Sequence, residues 1–176
     1  MSPSDRDREG RFSAVYEAFY GRVHAYAARR VGAGTADEVA AETFLVAWRR
    51  LDDMPREPLP WLYGVARNVL LRHRVEYARQ ECVRSALRSE RPIVDGPACG
   101  QPAVWAAWAQ LRQGDQEVLA LVAWEELSVR DAARALGCSA PVFSVGLHRA
   151  RRRFERLLGQ NTLAAPQSVS DFSEVR

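Results

Sequence analysis

Apolar residues in this chain recur at steps of three and four, and no stretch of any length alternates with a period of two. Phe12, Val15, Tyr16, Phe19, Tyr20, Val23, Tyr26 and Ala27 follow that rhythm, which paints one apolar stripe along a helix. "GAG" at 32–34 interrupts it, and Thr35 followed by Glu38 reads as a capping box opening a second helix. That helix carries the stripe Ala41, Phe44, Leu45, Trp48 and Leu51. "DDMPREPLP" (52–60) reads as a proline-rich loop, and a third helix is expected from near Trp61 to about Glu81. Its stripe is Trp61, Leu62, Val65, Ala66, Val69 and Leu70. The rhythm stops between Ser85 and Pro102, where Pro92, Gly96, Pro97, Gly100 and Pro102 mark a flexible linker. Helices are expected again at Val104–Leu111, Asp115–Glu126, Ser128–Leu136 and Ser139–Leu158. The fold class is therefore all-α. Two small helical domains, residues 11–84 and 104–158, are joined by a flexible linker over 85–103, with disordered ends at 1–10 and 159–176.

Charge is distributed unevenly along these helices. The net charge is only +3, yet all 25 basic residues are arginine. Residues 32–60 hold six acids against three arginines; 61–80 hold four arginines against one acid, and 138–158 five against one. An acidic helix between two basic ones suits two kinds of partner: a basic protein surface for the first, phosphate for the others. Cys82, Cys99 and Cys138 are far apart and form no pair with zinc spacing. They read as reduced thiols, and no metal or cofactor is expected. His24, His73 and His148 are dispersed, and no phosphate loop or nucleophile motif is present, so the chain does not read as an enzyme. The polar start MSPSDRDREGR lacks the apolar core of a signal peptide, and no apolar run approaches membrane-spanning length. No membrane insertion and a cytoplasmic location are expected.

"LSVRDAARALGCSAPVFSVGLHRARRRF" has the layout of a helix-turn-helix. Ser128 caps its first helix and Gly137 supplies the turn. Ser139 caps the second helix, which tolerates Pro141 in its first turn. Phe143, Leu147, Ala150, Phe154 and Leu157 form the buried face of that helix. Ser139, Val142, Ser144, Val145 and His148 then face a major groove, while Arg149, Arg151, Arg152 and Arg153 follow where phosphates would lie. The leading half of the helix is neutral. Valine can read thymine methyls and serine can read base edges without any charge.

Three segments in order, "ADEVAAETFLVAWRR" (36–50), "PWLYGVARNVLLRHR" (60–74) and the helix-turn-helix ending "LHRARRRF", resemble the extracytoplasmic-function group of bacterial sigma-70 factors. The resemblance covers about Phe12–Arg79 and Leu111–Leu158. It implies a sigma factor that binds core RNA polymerase, reads −35 and −10 promoter DNA elements, helps melt the duplex and is held in check by an anti-sigma factor. On the matching positions it implies a polymerase-binding set of Asp37, Glu38, Glu42, Thr43, Phe44 and Trp48. It likewise implies a −10 set of Trp61, Arg67, Asn68, Arg72 and Arg74, with a base pocket somewhere in Asp52–Glu57. Phe44, Trp48 and Trp61 also fit plain core packing. The chain departs from the family at Pro141–Gly146, where a lysine and an arginine common in the family have become Ser144 and Gly146. A stand-alone helix-turn-helix regulator acting as a dimer on duplex DNA remains open as the alternative. It explains 111–158 and leaves the acidic helix and "PWLYGVARN" without a role.

Overall fold

The computed structural model describes residues 3–85 and 102–163. The 85–103 linker falls almost wholly outside these residues, as does the tail beyond Leu163. The described residues hold seven helices: α1 Pro3–Val31, α2 Ala33–Arg49, α3 Pro58–Ser85, α4 Pro102–Gln110, α5 Gln113–Ala123, α6 Val129–Leu136 and α7 Ala140–Leu163. A short 3-10 turn, Leu51–Asp53, follows α2, and no strand occurs among the described residues.

Helix α1 starts at Pro3, well before the tenth residue, so the expectation of a disordered lead-in is corrected. Tertiary contacts explain the extension. Arg8 reaches Asp52 at 2.5 Å and the Trp48 carbonyl at 3.0 Å, and its guanidinium lies 5.3 Å from the centroid of the Trp48 ring. Arg11 adds a longer bond to the Leu51 carbonyl. The first turns of α1 thus hold the end of α2 and the loop after it.

Helix α2 begins directly after Gly32, whose φ of 77° turns the chain, with no side-chain cap. Thr35 therefore lies within the helix, and the expected capping box is absent. The buried face of α2 is Ala36, Val39, Ala40, Thr43, Phe44 and Ala47. Ala41 is exposed, and Leu45 is 48% exposed. The stripe is thus rotated by one residue from the one expected. Both 40/41 and 44/45 are apolar pairs, so periodicity alone cannot choose between them. Packing of α2 against both α1 and α3 decides which member of each pair faces in. Phe44 meets Phe12, Tyr16 and Tyr20 of α1 with ring centroids 4.9–6.4 Å apart.

Helix α3 starts at Pro58, three residues earlier than expected; proline's fixed φ suits a first helical turn. Leu62, Tyr63, Ala66, Val69 and Leu70 point into the core. In the second group Ser128 caps α6, its hydroxyl accepting from the Asp131 N–H and donating to the Asp131 carboxylate. Gly137 ends α6 in the left-handed region at φ 67°, its N–H bonded back to Ala133 and Arg134. That conformation suits glycine and turns the chain into α7. Helix α7 continues to Leu163, beyond the Leu158 expected; Phe154 packs edge-on against Trp108 of α4, and one turn past Leu157 the Gln110 side chain of α4 donates to the Asn161 side chain at 3.3 Å.

One residue breaks a local rule. Glu126, between α5 and α6, sits at φ 54°, where a side chain costs roughly 1 kcal/mol or more. Glu126→Gly is expected to raise stability by about 1 kcal/mol, read as a higher midpoint in urea unfolding.

The two helical groups do not stand apart. Their buried residues form one cluster, running from Val23, Tyr26 and Leu62 to Leu121, Ala132, Ala133 and Phe143. At its centre Tyr26 and Tyr63 lie with ring centroids 4.9 Å apart. Burial pushes the Tyr63 hydroxyl up to about 12 and drives Tyr26 above the ordinary phenol range. Both pKa values are raised on folding. The stability tied to these protonated hydroxyls is therefore complete below pH ~10 and is lost as the pH climbs through the folded value. In an alkaline titration of phenolate absorbance, Tyr26 and Tyr63 are expected to ionise only as helical circular dichroism disappears. Ionisation of every tyrosine near pH 10 with the helices intact would contradict this.

Candidate nucleic-acid interface

Helix α7 presents its outer face freely. Val142 is 63% and Val145 51% exposed, and Ser139, Ser144, His148 and Arg149 are exposed beside them. The opposite face, Phe143, Leu147 and Ala150, is buried against α6 and its neighbours. The Ser144 hydroxyl donates to the Ala140 carbonyl, one turn back. Arg151 and Arg152 continue the exposed face. Arg153 does not: it is half-buried and ion-paired with Asp115 of α5. Its guanidinium holds α7 to α5, which corrects its place among the phosphate-facing arginines.

On the other group, α3 carries the residues that the sequence suggests for the −10 element. Trp61, Gly64, Asn68 and Arg72 fall at steps of three and four on one side of the helix. Asn68 and Arg72 are exposed, Arg67 and Arg74 are intermediate, and Leu71 is 41% exposed among them. Trp61 is partly buried and packs on the core cluster. Before α3 comes the loop 54–57, in which Pro55, Arg56 and Glu57 are exposed.

Helix α2 supplies the acidic face. Asp37 and Glu38 are exposed, with Asp37 meeting His24 at 3.2 Å and the Tyr20 hydroxyl at 3.3 Å. Glu42 pairs with Arg72 at 3.3 Å and His73 at 3.1 Å. Exposed pairs of this kind contribute roughly 0–1 kcal/mol, so an arriving partner can break them. Among the described residues, no group of three or more His, Cys, Asp and Glu could hold a metal, and no helix is long and apolar enough to cross a membrane.

Sigma-70 region 2 matches residues 15–81, the span of the aromatic α1, the acidic α2 and the basic α3. The ECF RNA polymerase sigma factor BldN of Streptomyces coelicolor is 30% identical over 159 residues, covering 84% of this chain and 60% of that relative. The RNA polymerase sigma factor CnrH of Cupriavidus metallidurans is 28% identical over 185 residues, covering 90% of this chain and 97% of the relative. Residues 15–81 match sigma-70 region 2, and the chain is similar over most of its length to sigma factors of the extracytoplasmic-function group. The solved structure of CnrH in complex with the cytosolic domain of CnrY superposes with a TM-score of 0.58 at 28% identity, covering 85% of this chain and 88% of that one. The sigma factor RpoE of Bartonella quintana, in complex with the anti-sigma factor NepR, superposes with a TM-score of 0.65 over 84% of this chain and 96% of that one. At 20% identity, RpoE speaks for the fold alone.

Placed on this sigma fold, the polymerase-binding set suggested by the sequence splits. Asp37, Glu38 and Glu42 lie on the outer face of α2. Thr43 and Phe44 are buried, the Thr43 hydroxyl donating to the Val39 carbonyl at 2.7 Å, so neither offers a surface and both are corrected to core residues. Trp48 is half-buried, with Phe12 edge-on to it. Leu45, which the periodicity assigned to the core, instead stands on the acidic face near Glu38 and Glu42. Its exposure had no signal in the sequence beyond the ambiguity of the 44/45 pair.

Proposed function

We propose that this protein is an RNA polymerase sigma factor that binds core polymerase and directs it to a two-part promoter. In this reading residues 11–84 bind polymerase and recognise and melt the −10 element, while 104–158 read the −35 element. The observation that carries the proposal is the order of three exposed faces on a sigma fold: acidic α2, basic α3, and the leading turn of α7. Asp37, Glu38 and Glu42 meet a basic polymerase surface, and Leu45 adds an apolar contact at its centre. Asn68, Arg72 and their neighbours hold the backbone of an opened strand. On α7, Val142, Ser144, Val145 and His148 read base edges, and Arg149, Arg151 and Arg152 grip phosphate. Sigma factors are in general not enzymes, and this chain is read likewise: polymerase supplies the chemistry, in the cytoplasm. The complex of CnrH with the cytosolic domain of CnrY supports a protein partner here, read as an anti-sigma factor. A dimeric helix-turn-helix regulator accounts for α6 and α7 but leaves the faces of α2 and α3 unused.

Co-sedimentation with purified core polymerase tests the polymerase face. Wild-type protein is expected to co-sediment one to one. Asp37→Asn with Glu38→Gln is expected to weaken binding at least tenfold with no change in melting temperature. Failure of the wild type to bind core would overturn the reading.

A further inference from the structure

The loop from Asp52 to Glu57 carries the base pocket in the function proposed above, and Pro55, Arg56 and Glu57 stand exposed on it. A pocket discriminates only while its walls keep their places to within about 0.5 Å. An exposed loop does not achieve that by itself, and here its start is fixed from two sides. On the inner side Leu51 is 1% exposed, and Met54 packs on the core cluster. On the outer side the first turns of α1 reach across it.

Arg8 makes that reach. Its Nη1 donates to the Asp52 carboxylate at 2.5 Å and its Nη2 to the Trp48 carbonyl at 3.0 Å. Trp48 lies in the last turn of α2, where carbonyls lack a partner within the helix. One planar group therefore ties the end of α2 to the first residue of the loop. The same guanidinium lies over the Trp48 ring, 5.3 Å from its centroid. Phe12, one turn along α1, meets that ring edge-on with centroids 5.2 Å apart. Arg11 donates to the Leu51 carbonyl at 3.5 Å and lies 3.9 Å from the Asp52 carboxylate. Two backbone bonds close the turn between them, from the Asp53 N–H to the Arg50 carbonyl and from the Met54 N–H to the Leu51 carbonyl.

Asp52 is 70% exposed, and an exposed ion pair adds little to stability. What Arg8 supplies is direction. Its rigid fork holds a carboxylate and a carbonyl at once while its flat face rests on an indole. Lysine would carry the same charge on a flexible stem and could not fix both acceptors in one plane.

We propose that Arg8 is a positioning residue for −10 recognition: it fixes where the 52–57 loop leaves α2, and so sets how strictly the loop discriminates among bases, without touching DNA. The role of the loop on DNA rests on the function proposed above; the brace itself does not. The test uses the full chain as wild type, Arg8→Ala and Arg8→Lys. Each is assembled with core polymerase and transcribes a pool of genomic promoter fragments, whose start sites give the base preference at every −10 position. Both variants are expected to lose about tenfold in preference at the most selective −10 position. The −35 preference and co-sedimentation with core are expected to stay as in the wild type, and the melting temperature to stay within about 4 °C of it. In the free proteins, the Asp53 and Met54 amides are expected to exchange hydrogen about tenfold faster in both variants.

Wild-type −10 selectivity in both variants would overturn the proposal. So would its full recovery in Arg8→Lys, since Arg8 would then act as a charge and not as a fork. A fall in melting temperature well beyond the stated range in both would make Arg8 a residue of the fold and overturn it too. Slow exchange at Asp53 and Met54 in both variants would contradict the brace directly. Faster exchange with no transcripts from any of the three proteins would keep the brace and sink the sigma reading.

Discussion

Phe44→Ala is expected to destabilise the protein by about 3–5 kcal/mol. Phe44 is 2% exposed and touches three aromatic rings of α1. Removing it strips three of the ring contacts between α2 and α1. Against a total stability of roughly 5–15 kcal/mol this is a large share, and the melting temperature is expected to fall by roughly 10 °C. Polymerase binding should fall with it, because the acidic face is carried by the helix that Phe44 anchors. The contrast with Asp37→Asn and Glu38→Gln is the informative part. Those changes should weaken polymerase binding at constant stability, whereas Phe44→Ala should change both together. If Phe44→Ala melted like the wild type but failed to bind polymerase, Phe44 would be an interface residue after all, and the corrected role given to it here would be wrong.

The second large effect concerns how α7 holds DNA. Each phosphate contact adds about 0.9 to the steepness with which log affinity falls against log salt. Arg149→Ala, Arg151→Ala and Arg152→Ala combined are expected to flatten that slope by about 2.7 on a random-sequence duplex. The loss should be much the same for every sequence, since these residues position the helix and do not read bases. Arg153→Ala should leave the slope nearly unchanged, because its guanidinium is already committed to Asp115. Fluorescence anisotropy across a salt series measures both. Equal slope changes at Arg153 and Arg151 would mean that the Asp115 pair is broken on DNA. The neutral leading turn has the complementary signature: Val142→Ala with Val145→Ala should alter which sequences are preferred and leave the salt slope alone.

The helix-turn-helix was the most legible part of the chain because its signals are local. Ser128, Gly137 and Pro141 each act within a few residues, and each does in the structure what its chemistry dictates. The rhythm of α3 and of α7 likewise set their buried faces. Where two registers were equally apolar, as at Ala40/Ala41 and Phe44/Leu45, the face of α2 was decided by packing against α1 and α3, which periodicity does not contain. The early start of α1 depends on Arg8 meeting Asp52 and Trp48, more than forty residues away. Arg30, in the last turn of α1, pairs with Glu117 and Glu125, 87 and 95 residues on, and no local pattern announces either partner. The polymerase set divided for the same reason: a resemblance places residues on a helix, but only the packed structure says which of them face out. Glu126 gave no warning of its positive φ, since glycine, the usual sign of such a turn, is missing there.

Run-off transcription with purified core polymerase on a pool of genomic promoter fragments, with and without this protein, tests the central claim most directly. The account predicts discrete start sites that appear only with the protein, share two upstream elements, and shift in −35 preference when Val142 and Val145 are changed. Purified protein that binds duplex DNA as a dimer, with no binding to core and no new transcripts, would contradict it.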